Sequence, residues 1–239
     1  MLAYLTLSSS GNAYYEFFPT LASRGIEVLG FDQRGWGRTC SELSASNRGH
    51  MGPTALVMSD LSEIISTQLP SNIPLFLMGH SMGGGETLTY ASKGPHSEVT
   101  QIRGFLVESP LIGLDPSAQP SKLKLFAGEL AAKMMPKKQL FQKLNSKALC
   151  RDVTVQKDFE TDPLCHNIGT LECFAGMLDR GADLEAGRVK VAHGIKSLWV
   201  GHGTSDLVTS CPASRKWFAT CAVEDKELRE YEGWYHKCL

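Results

Sequence analysis

The chain has no C-x-x-C pair among its seven cysteines, almost no net charge, no internal repeat and no long apolar run, and each absence removes a class of protein. Cys40, Cys150, Cys165, Cys173, Cys211, Cys221 and Cys238 are scattered and odd in number, so neither a zinc site nor a disulfide framework is indicated, and reduced, buried thiols are expected. A formal net charge of −1 leaves no electrostatic footprint for nucleic acid. No segment reaches the roughly 18 apolar residues of a membrane span. Met1 to Leu7 is apolar but short and lacks a basic leader, which makes it a poor signal peptide. A cytoplasmic chain, soluble or peripheral to a membrane, is the expectation. No linker or low-complexity tract divides it, and 239 residues at 42% hydrophobic can bury one substantial core, so residues 1–239 read as a single domain.

What is present is an alternation of short apolar β-type runs with longer helical patterns. Strands are predicted at Ile26–Phe31, Ile73–Met78, Ile102–Val107, Ile195–Val200 and Glu227–Tyr231. Between them, Thr54 to Leu69 carries Leu56, Val57, Leu61, Ile64 and Ile65 near a helical period, and a further helix is predicted from Pro212 to Cys221. Such alternation specifies an α/β fold, a mostly parallel sheet flanked by helices.

The Ile73 run leads into Gly79-His80-Ser81-Met82-Gly83, a strand turning sharply into a helix with a serine at the apex. The glycine spacing has a steric reason: residues two before and two after the serine approach so closely that a Cβ at either clashes. Ser81 is thereby forced into a strained conformation that lifts its Oγ off the sheet, a nucleophile elbow. A serine hydroxyl needs a base, and the base needs an orienting carboxylate. Downstream of such an elbow an acid is expected first and a histidine last, each in a loop after a late strand. Gly201-His202-Gly203-Thr204-Ser205-Asp206 places Asp206 after the strand ending at Val200, and Glu232-Gly233-Trp234-Tyr235-His236 places His236 after the next. Asp179 and Asp183 fall in a different kind of segment and Asp225 precedes the last strand; His80 should point away from the nucleophile, and His202 comes before the acid.

The interval from Glu108 to Ile195 breaks the rhythm, because a crossover between parallel strands needs only a few dozen residues. Leu123, Phe126, Ala127, Leu130, Ala131 and Met134 fall on one helical face, and Leu171, Phe174, Ala175 and Leu178 on another, so the excess reads as a helical insertion over the carboxyl ends of the strands. Its first helix carries Lys122, Lys124, Lys133, Lys137 and Lys138. The favoured expectation is a solvated basic face whose apolar stripe packs on the core; beside it stands an interfacial helix with its apolar face toward lipid.

Taken together, Gly79-His80-Ser81-Met82-Gly83-Gly84, the Phe31-Asp32-Gln33-Arg34-Gly35-Trp36-Gly37 loop, Gly201-His202-Gly203-Thr204-Ser205-Asp206 and Tyr235-His236 resemble the monoacylglycerol lipases and their fungal relatives, in the serine aminopeptidase S33 or lysophospholipase-like group of α/β-hydrolases. The resemblance runs from about Asn12 to Lys237. It implies an α/β-hydrolase fold and a serine hydrolase cleaving a monoacylglycerol or similar single-chain lipid ester, with a lysophospholipase or small-ester esterase as near variants and a peptidase as a weaker third. Ser81 is then acylated, His236 is general base and acid, Asp206 orients it, and the Met82 N–H is one oxyanion donor. Residues 111–183 match the family's cap. No metal or organic cofactor is implied, nor an obligate protein partner, and the cap is the expected point of peripheral contact with a membrane or lipid droplet. The family's second oxyanion donor follows a strand ending in His-Gly. Here that stretch reads Leu5-Thr6-Leu7-Ser8-Ser9-Ser10-Gly11, the strands that normally precede it are absent, and the chain stops three residues past His236. Shortened ends and a loosely held His236 are therefore expected, with a catalytically impaired or partial homologue that at most binds lipid as the alternative.

Overall fold

The structure is a computed structural model that describes residues 2–7 (by their backbone), 17–40 and 46–237. Its elements in chain order are β1 (Leu2–Leu7), α1 (Phe17–Ser23), β2 (Glu27–Asp32), α2 (Thr54–Ser66), β3 (Leu75–His80), α3 (Met82–Lys93), α4 (His96–Val99) and β4 (Gly104–Glu108). An inserted segment follows with α5 (Lys122–Met134), β5 (Gln139–Phe141), α6 (Ser146–Leu149), α7 (Val153–Thr161), β6 (Ile168–Thr170) and α8 (Leu171–Glu185). The chain closes with β7 (Leu198–Gly203), α9 (Cys211–Thr220) and β8 (Lys226–Tyr231).

Six strands form one parallel sheet in the order β2-β1-β3-β4-β7-β8, and β5 pairs with β6 in a separate antiparallel ribbon. The sheet needs β1, which the sequence betrayed only as a short apolar run: Leu2–Leu7 pairs with β2 on one side and β3 on the other. The residues after it, Ser8 to Glu16, where a second oxyanion donor was sought, lie outside the described residues. Strand order reverses between β1 and β3, and in open α/β sheets such a switch point marks the ligand crevice at the strands' carboxyl ends. Ser81 stands there, immediately after β3.

The core explains the alternation. Leu75 and Leu77 of β3, Phe105 and Val107 of β4, and Leu198 and Val200 of β7 are buried against Leu61 and Ile65 of α2, Leu88 and Tyr90 of α3, Leu184 of α8 and Trp217 of α9. In α2 the fully buried stripe is Val57, Leu61 and Ile65, a four-residue step that keeps one face inward. Thr170 caps α8 by accepting from the Cys173 N–H, and Ser210 caps α9 by accepting from Ala213 N–H, with Pro212 in the first turn where its missing donor costs nothing.

The insertion departs from expectation in two ways. It is not purely helical, since β5 and β6 pair within it. More consequentially, the apolar stripe of α5 does not pack on the core: Leu123, Phe126, Leu130 and Met134 are 76, 67, 52 and 74% exposed. The helix packs instead through a neighbouring face, where Leu125, Gly128 and Ala131, the last a member of the predicted stripe, are half-buried and Ala132 is buried. That face lies against α8, and the large apolar side chains of the stripe are left outward. In α8 the buried positions are Cys173, Arg180, Gly181 and Leu184, while the predicted stripe at Leu171, Phe174, Ala175 and Leu178 is half-buried.

Among the described residues no helix is long and apolar enough to cross a membrane. Six described cysteines are free, with Cys40, Cys173 and Cys211 buried.

Candidate active site

Ser81 occupies φ 56°, ψ −121°, between the last residue of β3 and the first of α3. A non-glycine residue held at positive φ stores strain and persists only where its surroundings over-determine it. Here they do: the Ser81 N–H donates to the Glu108 carbonyl at 3.0 Å, and its own carbonyl accepts from Leu111 N–H at 2.8 Å and Gly85 N–H at 3.1 Å. Gly79 is required by contact, because a Cβ there meets the Gly83 carbonyl and the Thr87 hydroxyl.

Asp206 and His236 come together from the turns after β7 and β8. These strands run in register, with Gly203 opposite Tyr231, so their carboxyl-end turns are neighbours. A Cβ at Gly203 meets the carbonyls of Trp234 and Tyr235, so only glycine lets the two turns close on each other. His236 Nδ1 lies 2.8 Å from Asp206 Oδ2, and both side chains are buried. The carboxylate is an acceptor only, so the proton of this bond sits on Nδ1 and leaves Nε2 available. Oδ1 of Asp206 accepts from the N–H groups of Val208 at 2.7 Å and Thr209 at 3.0 Å, and Oδ2 also takes the Thr209 hydroxyl at 2.8 Å. Burial works to raise this carboxyl, but hydrogen bonds from His202, His236 and the backbone outweigh it and hold it below the usual carboxylate range.

The last turn, expected to be loosely held, is tied down from several directions. Ser205 N–H donates to Trp234 O at 2.9 Å and Thr204 N–H to Tyr231 O at 3.0 Å. The insertion contributes as well: Lys237 N–H donates to Leu149 O at 2.8 Å, and Arg151 donates to Gly233 O at 2.6 Å while lying 4.2 Å from the centre of the Tyr235 ring. His80 packs its ring 4.7 Å from that of His236, and its Nε2 lies 3.1 Å from the His236 carbonyl oxygen. Burial, with His236 beside it, pushes the His80 imidazole down to about 3. It is thus a neutral donor to that carbonyl at physiological pH, a contact that sequence reasoning, which sent His80 away from the nucleophile, did not foresee.

On the other flank the insertion touches the turn after β2. His166 stacks on Trp36 at 4.5 Å and its Nε2 lies 2.9 Å from Gly35 O, while Thr170 N–H donates to Gly49 O at 3.3 Å. Deeper, Arg180 of α8 pairs with Glu86 of α3 at 3.1 Å, and both are buried. Gln33 donates to the other Glu86 oxygen at 2.6 Å and Arg180 also reaches the Thr54 hydroxyl at 3.1 Å. No spacing rule announced this group, whose members lie up to 147 residues apart. Among the described residues no cluster of three or more His, Cys, Asp or Glu is placed to hold a metal ion.

Known proteins share this arrangement of elements. Residues 7–239 match the family described as serine aminopeptidase, S33. A Schizosaccharomyces pombe relative, provisionally named a monoglyceride lipase, is 34% identical over 226 residues, 94% of this chain and 58% of its own length. The monoglyceride lipase of Saccharomyces cerevisiae is 30% identical over 227 residues, 90% of this chain and 70% of its own. The crystal structure of a soluble variant of that yeast enzyme with a substrate analog superposes with a TM-score of 0.87 at 27% identity, covering 98% of this chain and 78% of the other. Paleococcus ferrophilus monoacylglycerol lipase gives 0.83 at 26% identity, covering 99% and 86%. The chain spans rather more than half the length of the first of these relatives, and with its parallel sheet, elbow and inserted segment it belongs to the serine aminopeptidase S33 family of α/β-hydrolases.

Proposed function

We propose that this chain is a carboxylic ester hydrolase that cleaves a monoacylglycerol or similar single-chain lipid ester through an acyl-enzyme on Ser81. The observation that carries the reading is the buried 2.8 Å bond between His236 Nδ1 and Asp206, beside an elbow that holds Ser81 at positive φ. Monoglyceride lipases recur among the relatives, which supports the substrate class.

In this mechanism the Ser81 Oγ attacks the ester carbonyl carbon while His236 Nε2 takes its proton. Negative charge gathers on the carbonyl oxygen, and the Met82 N–H, first in α3, is the assigned donor at the helix's positive end. As the tetrahedral intermediate collapses, the C–O bond to glycerol breaks and His236 returns the proton to the leaving alkoxide. Water, deprotonated by the same Nε2, then attacks the acyl carbonyl; the fatty acid leaves and Ser81 regains its proton. Asp206 holds the imidazole in the required tautomer throughout. Residues 111–183 act as a cap over the site, and the outward Leu123, Phe126, Leu130 and Met134 beside Lys122, Lys124 and Lys133 supply its contact with a membrane or lipid-droplet surface.

Labelling with a fluorophosphonate probe and hydrolysis of 1-monooleoylglycerol test the chemistry. Both should disappear in Ser81→Ala and fall steeply in His236→Ala while the circular dichroism spectrum is kept. Turnover that survives Ser81→Ala would overturn the acyl-enzyme.

A further inference from the structure

Asp206 faces two imidazoles. His202 Nε2 lies 3.2 Å from the same Oδ2 that accepts His236 Nδ1 at 2.8 Å, and His202 has no solvent exposure. Its other nitrogen, Nδ1, is 2.9 Å from the Ser214 hydroxyl on α9. A carboxylate oxygen cannot donate, so the His202 proton belongs on Nε2 and the Ser214 hydroxyl donates to Nδ1. Ser214 thereby fixes a tautomer that turns a donor onto Asp206. The Thr209 hydroxyl completes the cluster, 2.8 Å from Oδ2, 3.1 Å from the Ser109 carbonyl and 3.3 Å from each imidazole.

We propose that His202 is a positioning residue, held by Ser214, that fixes Asp206 for His236 and sets how strongly that carboxylate grips it. Donors on one oxygen compete for the same charge, so a second N–H on Oδ2 weakens the bond Asp206 makes to His236 and moderates its hold on the imidazolium formed in turnover. The arrangement spans three elements: His202 near the end of β7, Asp206 in the turn after it, and Ser214 in the second turn of α9. Other titratable groups also bear on this pair. They are His80 of β3, Lys237 beside His236, Cys211 of α9 and Glu230 of β8, with Glu108 ending β4 in register with Gly201. All of them persist in the variants below, so differences between those variants report on His202.

The test is the pH dependence of kcat/KM for a soluble short-chain ester in wild type, His202→Leu and His202→Gln. Losing the donor leaves more charge on Oδ2 for the imidazolium, so the acid limb in His202→Leu should move to higher pH by about half a unit or more. kcat should fall ~10-fold with KM unchanged. His202→Gln, whose amide N–H can reach Oδ2, should bring the limb back toward wild type. A folded His202→Leu whose acid limb stays in place overturns the proposal, as does a His202→Gln that shifts as far as His202→Leu. ¹⁵N-histidine NMR of the wild-type protein gives an answer that needs no variant: Nε2–H on His202 is expected, and a proton on Nδ1 alone overturns it. The inference rests on the Ser81-His236-Asp206 reading, and the two can fail separately. Turnover surviving Ser81→Ala removes that reading, whereas its loss there with an unmoved limb in His202→Leu removes only the role of His202.

Discussion

The turns at the carboxyl ends of β3, β7 and β8 and the outer face of α5 treat their side chains in opposite ways. In the first region the polar groups of Asp206, His202, Thr209 and His236 are enclosed, and each has a partner inside the protein. In the second, large apolar side chains are more than half exposed to water. Removing a member of the first region strands its neighbours without water to replace it. Removing a member of the second changes the surface and leaves the fold alone.

The sharpest way to break that contrast is Asp206→Asn. An amide keeps the shape but offers the wrong hydrogen bonds to His236, and kcat should fall by about 10⁴, as in comparable triads. A loss under tenfold in single-turnover assays would mean that the enclosed network does not govern the chemistry. Next comes Arg180, which joins the insertion to α3. Burial raises the Glu86 carboxyl, with Arg180 and Gln33 opposing, so removing the arginine leaves a buried acid without its counter-ion. Arg180→Met should cost about 3–5 kcal/mol in urea unfolding, and Arg180→Met with Glu86→Leu should recover most of it. Equal losses in the single and double variants would contradict the pairing.

The pH dependence of stability is a gentler probe. Asp206 is held below its ordinary range, so its contribution is present above the unfolded value near 3.8 and is lost as pH falls toward the folded one. Asp206→Asn should therefore flatten the acid side of the unfolding curve below about pH 4, and an unchanged slope would show that the carboxylate is not preferentially held in the folded state. The smallest effect on stability belongs to α5. Leu123→Ser with Phe126→Ser should alter it by no more than about 0.5 kcal/mol and leave short-ester hydrolysis intact. The same pair should reduce flotation with anionic vesicles; undiminished flotation would detach the surface from lipid.

The sequence was most readable where one strand and its own turn set the position. Ser81 follows a continuous apolar run through a glycine-flanked turn, and Asp206 and His236 follow the next two late strands; nothing remote was needed to place them. Reading failed where position depends on packing between distant segments. The periodicity of α5 identifies an apolar stripe but not its direction, and the face turned toward α8 carries Leu125, Gly128, Ala131 and Ala132, of which only Ala131 belongs to that stripe. Chain order sets His202 aside as a candidate base because it precedes the acid, and its meaning lies in Ser214, in the next element, α9. β1 was hidden by brevity: six mostly apolar residues read equally well as many things, and its partners β2 and β3 alone make it a strand.

The Glu86–Arg180 pair also bears on exchange between relatives. Its halves sit on opposite sides of the insertion boundary, with Gln33 and Thr54 on the same side as Glu86. A chimaera that imports another family member's insertion without regard to these positions would place an orphaned carboxylate five residues after Ser81. Positions 33, 54, 86 and 180 therefore constitute a matched set, to be inherited or swapped together, and a transplanted insertion should be accepted in proportion to how well it supplies the missing cation.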